Sequence, residues 1–378
     1  MENLTLFEIK NVLAQDNIQE TSGFSVDALR KHDVIIYGCG SGFVTLSVFV
    51  LDRYGIIPIA VLDKKFTSQE RKNRTLYSSP ESFKPDEKIL EHSIVVVTLG
   101  DPQIRGTIIK DLKKSGFHNV ISSMDIYEYH LPNPDKQISL GGTFYRNNTE
   151  KILKAFGFFF DRESQEIFKQ FLYTHIYRRC MVIPSRPLAE QYFPFDLWDK
   201  NAYRRSIICG AYNGDTAITM IENVSCIDML LCLEPDPANF DELKKNVQIY
   251  KNLIPHLRLL PLGVYDKSVQ MKFSANKNSN SVISDVGDVL VQCIALDECL
   301  EDIAPTFISM DIEGAEMLAL KGMKEIIKKN HPKLAISFYH SPEHLWEIPL
   351  FLRSLVPEYK FYLRNYTSFS SETVLYAY

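Results

Sequence analysis

Apolar and polar positions follow one rhythm in two parts of the chain and a different one between them. Over residues 33–130, short apolar runs at 34–37, 56–62, 93–99 and 120–121 alternate with stretches of helical spacing, one running from 44 toward Arg53 and one over 102–115. Continuous apolar runs bounded by turn residues read as strands covered on both faces, so this block predicts a parallel βαβ sheet. The alternation returns after 205. Strands are predicted over 206–211, 229–234, 257–264, 306–311 and 333–339, with helices over 237–250, 315–329 and 343–354. The last two runs, 360–365 and 373–378, leave no room for a helix between them and predict an antiparallel hairpin at one sheet edge. Residues 270–296, with an Asn/Ser-rich stretch at 276–281, read as a loop or β-hairpin insertion.

The intervening stretch has Pro132, Pro134 and a Gly141-Gly142 turn, and from Glu150 to Arg179 its apolar spacing is helical. This gives three parts: a smaller Rossmann-like α/β domain over 1–130, a helical connector over 131–200 packing on the second domain, and the second α/β domain over 201–378. The length of 378 residues accommodates that division.

Composition narrows the function classes. With 45% hydrophobic and 24% charged residues the chain can bury real cores, and a net charge of -5 offers no basic stripe to neutralise phosphates. Nor is there an Asn/Asp-Pro-Pro-aromatic motif for a flipped base, so nucleic acid is not expected as a partner. The seven cysteines form no Cys-x-x-Cys pair and read as buried free thiols. The first residues lack a signal peptide's basic start and apolar core, and the greasy run 44–51 is too short to span a bilayer. A reducing, cytoplasmic setting is the expectation.

Candidate chemistry concentrates where predicted strands end. Gly210-Ala-Tyr-Asn-Gly-Asp-Thr216 supplies two glycines for a tight turn and a helix start aimed at a ligand. About twenty residues on, Glu234 of Glu234-Pro-Asp-Pro237 ends the next strand, where an acid suits the vicinal hydroxyls of a ribose. Nicotinamide cofactors and S-adenosylmethionine both carry that ribose, and this pair of motifs does not choose between them. A third motif, Met310-Asp-Ile-Glu-Gly-Ala-Glu316, ends the fourth strand.

Taken with Gln191-Tyr-Phe-Pro194, Leu296-Asp297, the run from Tyr339-His-Ser-Pro to Pro349, Phe361-Tyr-Leu-Arg364 and Val374-Leu-Tyr-Ala377, these motifs make the chain resemble the FkbM family of S-adenosylmethionine-dependent methyltransferases over roughly 185–378. The resemblance implies a seven-stranded class I methyltransferase sheet with an antiparallel last strand, in agreement with the hairpin read from the pattern. It implies S-adenosylmethionine as cofactor. Gly210, Ala211, Gly214 and Asp215 would line the methionine and ribose region, Glu234 would hold the ribose diol, and Tyr265 and Asp266 would flank the adenine. Where the family usually has an acid two residues before Gly210, Ile208 stands here.

A sulfonium methyl donor asks the protein mainly to align an acceptor and take its proton. Asp311 is the first candidate for that role, with a helix N-cap as its alternative; Glu313 and His340 flank the same crevice. Glu316 reads as an acid favouring a helix N-terminus, and His344 as surface or cap. Tyr339 and Trp346 either stack on a sugar ring or fill core. Asp311, Glu313 and His340 match no recognised ligand spacing, and no metal is assigned. The leading reading is an O-methyltransferase acting on a sugar hydroxyl of a glycan or small molecule. In the first domain, Gly38-x-Gly-x-Gly42 followed by Asp63 is a partial dinucleotide fingerprint, lacking a glycine at Phe43. It leaves open a nucleotide or nucleotide-sugar partner at Gly38, Gly40 and Asp63, an NAD-dependent second activity, or a structural or homodimerising role. A catalytically degenerate binding or assembly protein is the remaining alternative, resting on Ile208.

Overall fold

The computed structural model describes residues 4–14, 26–126, 142–177, 185–194, 196–197, 200–224, 226–274, 282–283, 289–299, 303–367 and 372–378. The expected Pro132/Pro134 break, the Asn/Ser-rich stretch and Cys180 lie outside them. The chain divides into two compact units: Val12–Asn147 with Leu172–Met181, and Met1–Asn11 with Asn148–Phe171 and Val182–Tyr378.

The first unit carries a six-stranded sheet. Its strands are β1 (Asp33–Tyr37), β2 (Ala60–Leu62), β3 (Glu70–Lys72), β4 (Thr75–Ser78), β5 (Ser93–Val97) and β6 (Asn119–Ser122), in the order β3-β4-β2-β1-β5-β6. All pair in parallel except β3 with β4. β5 is buried at every position, as its uninterrupted Ile-Val-Val-Val run requires of a strand with apolar layers on both faces. The predicted strand over 56–62 shortens to β2, because Pro58 at its start has no amide hydrogen for the ladder.

The second unit is built on a seven-stranded sheet of β7 (Arg205–Cys209), β8 (Met229–Leu233), β9 (His256–Leu260), β14 (Phe307–Met310), β15 (Lys333–Ser337), β16 (Phe361–Asn365) and β17 (Thr373–Ala377), ordered β16-β17-β15-β14-β7-β8-β9. β17 runs antiparallel to both of its neighbours and the remaining pairings are parallel. A smaller four-stranded sheet joins β10 (Gly263–Val264), β11 (Val269–Ser274), β12 (Val282–Ile283) and β13 (Val289–Ile294). β11 and β13 form the expected antiparallel insertion.

Two predicted elements split. The strand over 257–264 becomes β9 and β10 in different sheets, parted by Pro261. The helix over 315–329 becomes Glu316–Lys321 and Lys324–Asn330. Gly322 sits at that break against the Tyr265 carbonyl, where an added Cβ would lie 1.9 Å from the oxygen. Asp297 then caps the second helix, its carboxylate accepting the Glu325 and Ile326 amides at 3.0 and 2.9 Å.

β16 lies at the end of the sheet yet is buried along its whole length. Residues 158–160 cover it: Phe159 bridges Phe361, and the Phe160 amide donates to the Phe361 carbonyl. Beneath them Arg364, 2% exposed, pairs with Asp161 at 2.7 Å and Asp196 at 3.0 Å, while Arg186 joins Glu163 and Asp196 at 2.7 Å each.

Candidate active site

A cavity of about 450 Å³ opens at the carboxyl ends of β7, β8 and β14, where open α/β sheets place their ligands. The volume falls within the roughly 300–1,000 Å³ spanned by small-molecule sites. Its walls differ along its length. One end is Glu234 and Asn239 beside an apolar slot of Pro235, Leu262, Val264 and Val291; the other is Gln191, Tyr192, Asp311, Glu313, Tyr339 and Glu372.

Glu234 reaches the first end because β8 stops there. Its carboxylate accepts the Tyr212 amide at 2.8 Å and the Asp236 amide at 2.9 Å. Burial drives its pKa up to about 7, against those two amides, which favour the ionised form. Asp236, by contrast, is a cap: it accepts the Ala238 and Asn239 amides and stands before Pro237, whose fixed φ suits a first helical position.

Gly210 and Asp215 line the cavity, and Ala211 and Gly214 do not. Gly210 has φ +79°, and a Cβ there would lie 1.9 Å from the Asp311 carbonyl oxygen, so the turns after β7 and β14 touch at this point. A Cβ at Gly214 would meet Val247 and Leu243 at 2.8 and 3.0 Å, making it a packing glycine.

Tyr265 and Asp266 do not line the cavity. Tyr265 is turned into the apolar cluster of Val291, Cys293, Val269 and Met271, with its carbonyl pressed against Gly322. Leu262 and Val264, a few residues earlier, line the cavity.

At the second end Asp311, Glu313 and His340 converge. His340 Nε2 lies 3.5 Å from Asp311 Oδ1 and 3.4 Å from Glu313 Oε2, while Nδ1 lies 2.8 Å from Glu316 Oε1. Glu316 is fully buried and its Oε1 also accepts the Ile312 and Gly314 amides at 3.1 and 3.3 Å, so it shapes the whole 311–316 turn rather than merely favouring a helix end. Burial disfavours the imidazolium, yet Glu316, Asp311 and Glu313 together raise His340 to about 10. Glu316 falls to about 2, burial being outweighed by His340. Burial lifts Glu313 to about 7, with Asp311 adding to the rise and His340 opposing it. The three carboxylates gathered around His340 favour its protonated form.

His344 is 3% exposed, not surface, and its Nδ1 lies 3.8 Å from Glu316 Oε2. Trp346 is core at 1% exposure, whereas Tyr339 lines the cavity.

Three functional candidates carried no assigned role in the sequence. The Tyr192 hydroxyl donates to Asp311 Oδ2 at 2.9 Å. Gln191 donates to Glu372 at 2.7 Å and Tyr339 reaches the same carboxylate at 3.4 Å. Burial, then Asp311, raises the Glu372 carboxyl above its usual range. The signal for Tyr192 was its place in Gln191-Tyr-Phe-Pro194; nothing in the local pattern marked Glu372. Six described non-glycine residues have positive φ, and four of them line this cavity: Tyr192, Tyr212, Glu313 and Glu372. Such conformations persist where surrounding structure over-determines them, typically at ligand sites.

Ile208 is 2% exposed, within an apolar cluster that includes Tyr192, Leu230 and Cys232. It also lines the cavity, opposite Ser309 in the neighbouring strand. The Ser309 hydroxyl is buried at this level without a protein partner.

In the first unit, Asp63 pins the turn after β1. It accepts the Cys39 amide at 2.6 Å and the Lys65 amide at 2.9 Å, and Lys65 Nζ donates to the Cys39 carbonyl at 2.6 Å. Added Cβ atoms at Gly38 and Gly42 would meet Thr98 at 2.9 and 2.2 Å, while Gly40 is open. Close packing against the end of β5 accounts for two of the three glycines. The six described cysteines are free, and no helix among the described residues is long and apolar enough to cross a membrane.

Residues 209–363 match the family model described as the methyltransferase FkbM domain. Among solved structures, a methyltransferase FkbM from Methylobacillus flagellatus KT aligns with a TM-score of 0.79 at 20% identity, covering 99% of each chain. An Aeropyrum pernix fibrillarin in complex with S-adenosyl-L-methionine aligns over 47% of this chain and 66% of its own, at 11% identity and a TM-score of 0.28. The human methyltransferase 10 domain containing protein covers 53% and 83%, at 17% identity and 0.33. No curated protein matches the chain. Residues 209–363 are thus a methyltransferase FkbM domain, and the likeness of fold to an FkbM methyltransferase extends along the whole chain.

Proposed function

We propose that this protein is an S-adenosylmethionine-dependent O-methyltransferase acting on a hydroxyl of a small polyhydroxylated acceptor, of which a sugar is the leading class. The observation that carries the reading is one cavity with a ribose-type acid, Glu234, at one end and the Asp311/Glu313 carboxylates at the other.

The residues fit the cofactor in character. Glu234 offers carboxylate lone pairs beyond those used by its two backbone amides, suited to a vicinal diol. Leu262, Val264, Pro235 and Val291 offer an apolar slot for a flat base. The buried Ser309 hydroxyl is a polar group at the level where the family's missing acid would stand. When bound, S-adenosylmethionine supplies an electrophilic methyl on a positively charged sulfur.

What remains for the protein is alignment and one proton. Asp311, held by Tyr192, orients the acceptor hydroxyl in line with the methyl. The proton passes to Asp311 or to Glu313, whose pKa near 7 suits reversible uptake at neutral pH. His340, oriented by Glu316, faces both carboxylates. Gln191, Tyr339 and Glu372 present polar atoms for the acceptor's other hydroxyls.

Calorimetry with S-adenosylmethionine and S-adenosylhomocysteine tests the reading. Saturable binding of either is expected, lost on Glu234→Ala. Absence of binding by both adenosyl ligands in the folded native chain sinks it.

A further inference from the structure

We propose that Asp311, Glu313 and His340 form a site for one divalent metal ion, open to the cavity and able to coordinate the acceptor's oxygens. One ligand atom from each residue lies within 4.8 Å of the others. Two carboxylates alone would not make a site; the histidine supplies the independent observation. His340 is 5% exposed, and its Nε2 has no hydrogen-bond partner although it faces both carboxylates.

The separations fit an ion better than they fit a proton. A charge-assisted N–H···O bond brings its heavy atoms to about 2.7–2.9 Å. Here the two contacts from Nε2 are 3.5 and 3.4 Å. Ligand atoms each about 2.0–2.2 Å from a shared ion, at angles between square and tetrahedral, stand roughly 3.0–3.5 Å apart.

The surroundings are those of an oriented ligand set. Glu316 Oε1 lies 2.8 Å from His340 Nδ1, which as N–H donates to it and leaves Nε2 as the lone-pair atom facing the cluster. A carboxylate behind a ligating histidine fixes its tautomer and ring plane. Tyr192 donates to Oδ2 of Asp311 and leaves Oδ1 facing Nε2. Glu313 is held by a backbone at φ +55° just before Gly314 at +98°. One imidazole and two carboxylates suit Mn2+ or Zn2+, and three protein ligands leave positions for exogenous oxygens.

The role of the ion rests on the methyl-transfer reading. An acceptor with two adjacent oxygens would chelate it, and a coordinated hydroxyl gives up its proton more readily. The acceptor class thereby narrows to vicinal diols or hydroxy-carbonyl compounds. In that state the ion takes the place of the proton on Nε2, and a carboxylate of the pair is relieved of acting alone as the base.

The full-length chain, freed of metal by chelator dialysis, is titrated calorimetrically with Mn2+ and separately with Zn2+, alongside S-adenosylhomocysteine. One saturable metal site per chain is expected. Glu313→Gln and Asp311→Asn should each weaken it at least 10-fold, and Glu316→Gln 10- to 100-fold through the histidine. Circular dichroism and retained S-adenosylhomocysteine binding identify the variants that still fold, and Glu313→Gln serves where a buried change does not. No saturable site for either ion, or native affinity in both Glu313→Gln and Asp311→Asn, overturns the proposal. Failure of metal with intact S-adenosylhomocysteine binding removes only the metal. Metal binding with no adenosyl ligand bound keeps the site and removes the methyl-transfer reading.

Discussion

The Tyr192 hydroxyl donates to Asp311 Oδ2 at 2.9 Å from a tyrosine whose own backbone is held on both sides. Its amide donates to the Tyr376 hydroxyl at 3.3 Å and its carbonyl accepts the Tyr203 hydroxyl at 2.9 Å. The tyrosine is therefore a positioning residue for the carboxylate. Tyr192→Phe keeps the ring and removes the bond, and a hydrogen bond to a charged group is worth about 1.5–3 kcal/mol. Turnover should fall about 10- to 100-fold while S-adenosylhomocysteine affinity, measured by calorimetry, stays within about twofold. An equal loss in both would assign Tyr192 to the cofactor.

Glu234 predicts a pH dependence. Its pKa is raised from 4.5 to about 7 by burial. Its contribution to stability is thus fully present below 4.5 and is lost as pH rises through 7, on the order of 3 kcal/mol. A ribose diol donating to the ionised carboxylate pulls the other way, so binding expels the proton. S-Adenosylhomocysteine affinity should improve about tenfold from pH 6 to pH 8 and level off above. Glu234→Gln should bind more weakly with a flat profile; a persisting slope would place the titrating group elsewhere.

Gly210→Ala puts a methyl where the Asp311 carbonyl stands, 1.9 Å away, at a φ of +79° that disfavours a side chain. The turns after β7 and β14 must part. Thermal and denaturant melts should show a loss of about 2 kcal/mol or more, and adenosyl binding should weaken at least tenfold. Gly40→Ala, with open space around it, should leave both unchanged.

Arg364 makes a stability prediction with no part in catalysis. Arg364→Met removes a buried guanidinium that joins Asp161 and Asp196. Removing one partner of a buried pair costs about 3–5 kcal/mol. The remaining acids are partly exposed and can turn to water, so a value near the lower end, ~3 kcal/mol, is expected by urea unfolding. No measurable change would show that the network is dispensable.

The sheet was legible because central strands are almost wholly apolar, β8 at every position and β14 at all but Ser309, and each stops at an acid-bearing turn. The final hairpin followed from spacing alone. That Leu262 and Val264 line the cavity while Tyr265 and Asp266 do not was hidden by Pro261, which parts two strands of different sheets. His344 was misread because its helix turns inward over Glu316, a neighbour 28 positions away in sequence. Tyr192 meets Asp311 across 119 positions and Gln191 meets Glu372 across 181, and no local pattern encodes such pairs. Charge behaved likewise: the raised pKa of His340 depends on three carboxylates gathered by the fold.

The covering of β16 by residues 158–160 bears on where this domain can be cut. The stretch matched to the FkbM family, 209–363, omits β17, which supplies both hydrogen-bonding partners of the β15 and β16 flank, and it omits most of β7. A fragment with those limits would expose Phe361 and the unpaired carbonyls of β16 to other copies of itself. A piece that keeps both the flap and β17 with the sheet must begin ahead of Phe158 and run through Ala377. Recombination that exchanges methyltransferase halves between related proteins would therefore have to carry the aromatic flap along with the catalytic sheet.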